Sequence, residues 1–407
     1  MDNHGIARVA RTARTDEQRR QDAAKIGKYR QLDDAIHDLA ARHAYDDPAL
    51  FQLTTTLLRL NPEYYTIWNV RRRCLTSGLL SRPSPGSSPS KASPTSSPSA
   101  TTSTFCAASS PSSSAPTRPN PAFPTTGPSG TTLDHGKNDA DYLEAELSFT
   151  VPLLLEFPKC YWIWKYRKWI LDEAILRLPR DAATRIWSAE LALDSKMLVK
   201  DSRNFHAWGY RRFLVARLES PDLLGQSLAE DEFAYTDKMI LANLSNFSAW
   251  HSRSRLMLRV FDQRHADDHA RRSFLDAEFT KIHEALDCGP EDQSLWYYDR
   301  YLVAQVVGSP GKPSVTPNLT VEQKTVYLEN EIEYIKDLLE DYPDIKWPYE
   351  ALLDYSILLR GLGFSGESGQ EGNDPKVFLD KLRRLDPMQA GRWDDKERVL
   401  VLSSSDK

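Results

Sequence analysis

A short phrase centred on tryptophan recurs along the chain and constrains its fold more than any other feature. It reads NPEYYTIWNVRRR, FPKCYWIWKYRKW, DSRNFHAWGYRRF and LSNFSAWHSRSR, with a fainter copy EDQSLWYYDRYL. The tryptophans follow one another at steps of 96, 44, 42 and 46 residues. They are Trp68, Trp164, Trp208, Trp250 and Trp296. Such regularity is typical of a chain built from one repeated supersecondary unit.

The one long step contains a segment of unusual composition. Residues 81–132 are mostly Ser, Thr and Pro, and their charged residues are only Arg82, Lys91 and Arg118. Such a segment cannot bury enough apolar surface to offset the entropy of ordering, which predicts a disordered insertion. Without these 52 residues the first step becomes 44. A period of this length predicts stacked helical hairpins, each of which needs its neighbours to bury its apolar face.

Within the phrase, other residues keep fixed distances from the tryptophan. An aromatic residue lies three positions before it, as in Tyr65 and Phe205, so we expect both rings on one helix face, packed together. An arginine lies three positions after it in Arg71, Arg167, Arg211 and Arg253, and four positions after it in Arg300. Large aromatic side chains at helical spacing predict a core role for the tryptophans. Each arginine can pair with a carboxylate of a neighbouring repeat, or present its guanidinium to a partner or a phosphate.

The rest of the chain favours an all-α fold. Asp47 before Pro48 is typical of a helix start, and Thr320 with Gln323 fits a capping box. A continuous apolar stripe from Ile186 to Leu198 predicts a helix there. The predicted divisions are N-terminal helices and the first repeat (1–80), the insertion (81–132), further hairpins (133–360), a flexible loop (361–373) and C-terminal closing helices (374–407) that break at Asp386.

Composition narrows the functional classes. The net charge is −5 with the two signs interspersed, so no basic stripe favours nucleic-acid binding. The four cysteines are widely spaced, without the close pairs of zinc or redox motifs, which predicts reduced, mostly packing thiols. Residues 1–31 lack the apolar stretch of a secretory signal, and nothing reaches the length of a membrane span. We therefore expect a cytoplasmic protein.

With these residues in view, the chain resembles the protein prenyltransferase α-subunits. Their recurrent unit has the form Asn-Tyr-x-x-Trp-x-x-Arg-x-x-Leu. The phrase RNFHAWGYRRF from Arg203, and the N-terminal HGI followed by basic residues, are similar to the type II, or Rab, geranylgeranyltransferase α-subunit in particular.

The resemblance implies a right-handed superhelix, a crescent of helical hairpins like a tetratricopeptide array, wrapped around a β-subunit. That β-subunit would hold the zinc ion and most of the geranylgeranyl diphosphate, and this chain would bind no cofactor. The heterodimer would transfer geranylgeranyl groups to C-terminal cysteines of Rab GTPases presented by an escort protein. This chain would be active only with its β-subunit.

The resemblance also implies site residues. One family lysine helps to stabilise the leaving diphosphate; the Pro-Lys-x-Tyr phrase places it at Lys159, whereas the farnesyltransferase pattern points to Arg203. The subunit interface would include Tyr161, Asn204, Phe205, His206 and Arg211.

Two other functions stay open at this point. One is the α-subunit shared by farnesyltransferase and type I geranylgeranyltransferase. The other is a non-enzymatic tetratricopeptide-like scaffold, although those repeats are about 34 residues long.

Overall fold

N-cap residues that were identified in the sequence mark the starts of two helices, at Asp47 and Thr320. In the computed structural model, which describes residues 15–81, 138–308, 311–363 and 374–405, Asp47 accepts a hydrogen bond from the Ala49 amide and Pro48 is the first helical residue. Thr320 and Gln323 form the predicted capping box. Both start signals are confirmed. The insertion beyond Ser81, the N-terminal HGI and the loop beyond Gly363 lie outside the described residues.

Fifteen α-helices account for most of the described residues. They are α1 (Asp16–Ala41), α2 (Pro48–Leu60), α3 (Tyr65–Cys74), α4 (Asp139–Glu156), α5 (Tyr161–Arg177), α6 (Arg180–Lys200), α7 (Phe205–Leu218), α8 (Ala229–Ala242), α9 (Phe247–Gln263), α10 (Asp268–Cys288), α11 (Gln293–Val307), α12 (Val321–Asp341), α13 (Lys346–Gly361), α14 (Pro375–Leu385) and α15 (Ala390–Ser405). A π-helical turn, Leu75–Leu79, extends α3, and a 3₁₀ turn, Pro387–Gln389, separates the last two helices.

The chain divides into two compact units. The first contains the described residues up to Leu193 together with Ser220–Leu224. The second contains Asp194–Glu219 and the described residues from Gly225 onward. Helix α6 crosses from one unit into the other.

Successive helices pack as hairpins, α2 with α3, α4 with α5, α8 with α9, α10 with α11 and α12 with α13. The recurring tryptophan lies three residues after the start of α3, α5, α7, α9 or α11. Four of these helices, α3, α5, α9 and α11, are the second helix of one of these hairpins. All five tryptophan side chains are at most 3% exposed. Since burying a large ring is a main source of stability, each repeat has its own aromatic anchor. The all-α class and the helical-hairpin repeat are confirmed.

Each anchor also ties down the turn before its helix. The indole Nε1 of Trp68 donates to the Pro62 carbonyl at 2.8 Å, six residues earlier. The same bond joins Trp164 to Pro158, Trp208 to Ser202, Trp250 to Leu244 and Trp296 to Pro290. A buried indole N–H needs an acceptor, and here the acceptor is a backbone carbonyl of the inter-helix turn.

The aromatic residue three positions before the tryptophan is largely exposed. It is the first helical residue, and its ring is more than half exposed in Tyr65, Tyr161, Phe205 and Phe247. The expected packing of this ring on the tryptophan of the same helix stays a prediction. The tryptophans themselves pack on the next hairpin: Trp68 lies on Tyr166 of α5, with ring centroids 4.6 Å apart, and Trp250 lies on Tyr298 of α11 at 4.5 Å.

The arginines of the phrase join one hairpin to the next. Arg71 pairs with Glu146, Arg167 with Glu190, Arg211 with Glu232 and Arg253 with Glu278, each through two hydrogen bonds from Nε and Nη2. The glutamate comes from the first helix of the following hairpin. Pairing with a neighbouring repeat, one of the two alternatives left open by the sequence, is what the structure shows for these four arginines.

Candidate functional site

The turns between the two helices of each hairpin carry the residues singled out for the site. Lys159 and Arg203 lie five residues before Trp164 and Trp208, so they occupy the same position of consecutive repeats. The other repeats have Glu63, Ser245 and Glu291 there. Both basic side chains are exposed. The two competing alignments therefore point to one structural position in two neighbouring hairpins.

The turn that holds Lys159 is fixed on both sides. The Cys160 amide donates to the Phe157 carbonyl at 3.0 Å, and Trp164 Nε1 donates to the Pro158 carbonyl at 2.9 Å. The buried Cys160 thiol lies 3.4 Å from the Pro62 carbonyl of the preceding hairpin. These bonds hold the backbone of the turn, and the Lys159 side chain that it carries is exposed.

The turn that holds Arg203 is built in the same way. The Asn204 amide donates to the Asp201 carbonyl at 3.1 Å, and Trp208 Nε1 donates to the Ser202 carbonyl at 2.8 Å. The Asn204 side chain caps α7 by accepting from the amides of His206 and Ala207. An asparagine N-cap of this kind stabilises a helix by about 1 kcal/mol.

Directly after each turn comes the exposed aromatic residue that begins the helix. In the first unit, Tyr65 and Tyr161 both contact Trp162, with ring centroids 5.2 Å apart in each case. Lys165 Nζ lies 5.4 Å from the Trp162 ring centre. In the second unit, the exposed members are Phe205 and Phe247. In the fifth repeat the helix begins with Gln293, and the exposed aromatic residue is Tyr297, four residues later. Phe205 is 76% exposed, and its ring lies 5.7 Å from the ring of His206.

Another apolar side chain is exposed on the other side of the turn, near the end of the preceding helix. These residues are Leu60, Leu155, Val199 and Leu241. A turn flanked by exposed apolar residues recurs in each of these hairpins. Exposed apolar patches on a folded protein mark surfaces that contact another molecule. The hairpin turns are therefore a candidate binding surface.

Two of the predicted interface residues do not present their polar groups to solvent. Asn204 is 2% exposed because its amide caps α7. Arg211 is 4% exposed because its guanidinium is paired with Glu232 and lies 3.5 Å from the centre of the Tyr235 ring. Placing Arg211 at a partner-facing surface is thus corrected: its guanidinium lies within the second unit. Tyr161, Phe205 and the half-buried His206 keep accessible surface.

Sequence reasoning missed Tyr65, Trp162 and Phe247 as surface residues. For Tyr65 and Phe247 the signal is the repeat itself, since an aromatic residue at the first helical position returns in four copies. Helical spacing alone does not say which of two aromatic residues enters the core.

The fifth repeat departs from the others in its polar core. His283, Asp299 and Glu331 each place one possible ligand atom within 4.8 Å of the others. Burial raises the pKa of Asp299 to about 8, with a further contribution from the Glu331 carboxylate. Burial also raises the pKa of Glu331 to about 8 and lowers that of His283. These are the residues in the described part of the chain whose arrangement suits a metal ion.

No described helix combines the length and the apolar character needed to cross a bilayer.

The repeat matches a known family. The model of the protein prenyltransferase alpha subunit repeat matches residues 48–78, 143–174, 187–218 and 229–260. These segments fall on the consecutive helix pairs α2–α3, α4–α5, α6–α7 and α8–α9.

Curated relatives extend the similarity to most of the chain. The geranylgeranyl transferase type-2 subunit alpha of Schizosaccharomyces pombe is 30% identical over 398 residues, 96% of this chain and 96% of that protein. The subunit of the same name from Saccharomyces cerevisiae is 30% identical over 301 residues, 74% of this chain and 72% of that protein.

A solved structure shares the fold. The chain is similar to a chain of the Candida albicans protein geranylgeranyltransferase-I complexed with GGPP, with a TM-score of 0.54 over 96% of this chain and 94% of that chain. The two are 17% identical in sequence, so this likeness concerns the fold alone.

Proposed function

The chain belongs to the family of geranylgeranyltransferase type-2 α-subunits, and we propose that it acts as the α-subunit of a heterodimeric Rab geranylgeranyltransferase. In this role it transfers no prenyl group by itself. Together with a β-subunit it moves a geranylgeranyl group from geranylgeranyl diphosphate to C-terminal cysteines of Rab GTPases held by an escort protein. The observation that carries the proposal is the 30% identity to the fission-yeast subunit, which runs through 96% of both chains.

The proposal divides the chemistry between two chains. The zinc ion that activates the acceptor thiol, and most of the pocket for the isoprenoid, are assigned to the β-subunit. The buried cysteines of this chain suit packing better than metal binding, since burial raises the pKa of both Cys74 and Cys160 to about 11. Zinc binds the thiolate, and at neutral pH these groups remain thiols.

The contribution of this chain to the reaction is a cation beside the leaving diphosphate. When the thiolate attacks the first isoprenoid carbon, the carbon–oxygen bond breaks and negative charge grows on the diphosphate. A cation placed there stabilises the transition state more than the ground state. Lys159 supports this role because its side chain is exposed on a turn held by the Trp164 indole.

Arg203 is the alternative at the same position of the next hairpin. Its guanidinium offers two parallel donors to phosphate oxygens, whereas the Lys159 ammonium acts as a point charge. We favour Lys159 because the Pro158–Lys159 phrase matches the family pattern around its lysine.

The exposed aromatic residues give the proposed heterodimer its interface. Interfaces are enriched in tyrosine, tryptophan and phenylalanine, and a few such residues supply most of the binding energy. The aromatic residues at the helix starts, with the leucines and valine across each turn, supply this chemistry. We propose that the β-subunit covers them.

Substrate choice tests the proposal against its nearest alternative. The chain is produced together with the type II β-subunit of the same organism, and the purified heterodimer is given geranylgeranyl diphosphate and either escort-bound Rab or a CaaX peptide. Transfer to Rab, with little transfer to the peptide, is expected. A heterodimer that prefers the peptide would identify the chain as the α-subunit shared by the farnesyl and type I enzymes. Recovery of chaperones or assorted clients in place of one β-subunit would identify a scaffold.

A further inference from the structure

The fifth repeat replaces the arginine that links neighbouring hairpins. In the preceding repeats the residue three positions after the tryptophan is an arginine paired with a glutamate of the next hairpin. Three positions after Trp296 the chain has Asp299. The glutamate is kept, since Glu331 lies buried on α12, the first helix of the next hairpin. Where the preceding repeats have an arginine–glutamate ion pair, this repeat therefore has two carboxyl groups, Asp299 and Glu331, close together.

The hydroxyl partner of the arginine has changed as well. Arg211 donates to Ser195, sixteen residues before it on the first helix of its own hairpin, and Arg71 donates to Thr55 at the same spacing. Sixteen residues before Asp299 stands His283 on α10. Its Nε2 lies 3.0 Å from Glu331 Oε2. The two altered positions, Asp299 and His283, therefore meet the retained Glu331 in one place within the second unit.

Asp299 is left short of a hydrogen-bond partner. Its side chain is 1% exposed, and Tyr355 of α13 donates to Oδ2, while no donor reaches the buried Oδ1. Arg300, the next residue, is directed to α13, where it lies 3.2 Å from Glu350 and 3.8 Å from Asp354. A buried carboxylate oxygen without a donor or a cation is costly, because burial removes its hydration without replacing it.

We propose that His283, Asp299 and Glu331 bind a divalent cation of the zinc class, which replaces the arginine as the link between the fifth hairpin and the next helix. One imidazole nitrogen and two carboxylate oxygens are a donor set that zinc accepts. The ion supplies the positive charge that the substitution of arginine by Asp299 removed. Its role is structural, and the inference does not depend on the proposed enzymatic function.

The surroundings support such a site. Tyr355 holds the second oxygen of Asp299, and the His283 ring stacks on Tyr334 with centroids 3.8 Å apart, so both groups are oriented by a second layer of contacts. The His283 side chain is 24% exposed, which gives an ion a route from solvent. Ligand atoms around four-coordinate zinc lie about 3.4 Å apart for bonds of about 2.0–2.1 Å. Atoms within 4.8 Å of one another need only small side-chain rotations to reach this arrangement.

Cobalt substitution tests the site without an activity assay. The full-length chain is stripped with a chelator and titrated with Co²⁺, and binding is followed through the visible ligand-field absorption and through metal content after dialysis. We expect one ion per chain, displaced by Zn²⁺. Asp299→Asn is expected to weaken binding by at least about tenfold. His269→Ala, which changes an exposed histidine near the start of α10, is the matched control and should bind as the unmodified chain does.

A second variant guards against misfolding. Asp299→Arg restores the residue found in the four preceding repeats, where it pairs with the glutamate of the next hairpin. We expect this variant to keep its helical circular dichroism and to lose the ion. Absence of Co²⁺ binding by the unmodified chain would overturn the proposal. Binding that Asp299→Asn and Asp299→Arg both leave unchanged would overturn it too, since the ion would then lie elsewhere.

Discussion

Arg71 and Glu146 are joined by two parallel hydrogen bonds, 2.6 Å from Nε and 2.7 Å from Nη2, with side chains only 2% and 5% exposed. The Arg71 guanidinium also lies 4.0 Å from the centre of the Phe51 ring and 4.4 Å from that of Phe149. The pair connects α3 to α4, and its counterparts connect the later hairpins. Cation, carboxylate and ring together fix how one repeat stacks on the next.

Breaking this pair from one side is expected to be costly. Glu146→Ala leaves the Arg71 guanidinium buried without a counter-charge, and the free energy of unfolding should fall by about 3–5 kcal/mol. Urea-induced unfolding measures the change. The control is Glu230→Ala, which removes the partner of Arg264 from a pair of similar length, 2.7 Å, whose side chains are about half exposed. That loss should stay below about 1 kcal/mol. Equal losses for the two variants would show that burial does not govern the strength of these pairs.

The indole bond of Trp164 is expected to matter for transfer as well as for stability. Trp164→Phe removes the donor to the Pro158 carbonyl and loosens the turn that carries Lys159. Trp187→Phe removes a similar bond, of 3.0 Å to the Leu171 carbonyl, from the same unit but away from this turn. Both variants should lose about 1–3 kcal/mol of stability. Only Trp164→Phe should slow single-turnover transfer by the heterodimer, and a comparable slowing by Trp187→Phe would contradict the positioning role of the turn.

Lys159→Ala is expected to slow the chemical step. Loss of one cation beside the leaving diphosphate should lower the single-turnover rate by about a hundredfold, with unchanged yield of the heterodimer. Lys159→Arg should retain part of the rate. The control Lys196→Ala changes an exposed lysine of α6 and should have no effect. If Arg203→Ala causes the large loss and Lys159→Ala does not, the cation comes from the next hairpin; if neither does, this chain supplies no charge to the reaction.

Phe205→Ala is expected to weaken the subunit interface. The side chain is 76% exposed, so its removal should barely change the stability of the chain alone. Removing an aromatic anchor from an interface costs about 2 kcal/mol or more, and the dissociation constant of the heterodimer should rise at least tenfold. Met388→Ala, at a 93% exposed residue away from the hairpin turns, is the control. Unchanged affinity of Phe205→Ala would remove this residue from the interface.

The repeat and its helical hairpins followed from the sequence because their signals are local. The spacing of the tryptophans gave the period, and the cap residues Asp47 and Thr320 gave helix starts that the structure confirms. The stripe from Ile186 to Leu198 lies on α6, as expected. The break at Asp386 separates α14 from α15.

The partners of the arginines could not be identified in this way. Glu190 lies 23 residues after Arg167, and Glu278 lies 25 residues after Arg253, so the pairs form only when two hairpins stack. The spacing of residues within one helix does not show which residue of another helix will lie beside the arginine. The sequence has Asp299 three positions after Trp296, where the preceding repeats have arginine. This substitution is easily overlooked because Arg300 follows it, and an arginine four positions after the tryptophan lies on nearly the same helix face as one three positions after it.

We propose that this chain forms a working prenyltransferase only together with a second subunit. The most direct measurement is geranylgeranyl transfer to escort-bound Rab by the purified chain, by the purified β-subunit and by the two together, each supplied with zinc and geranylgeranyl diphosphate. We predict transfer by the co-purified one-to-one complex and none by either chain alone. Turnover by this chain alone, or failure of the two chains to form a complex, would contradict the account.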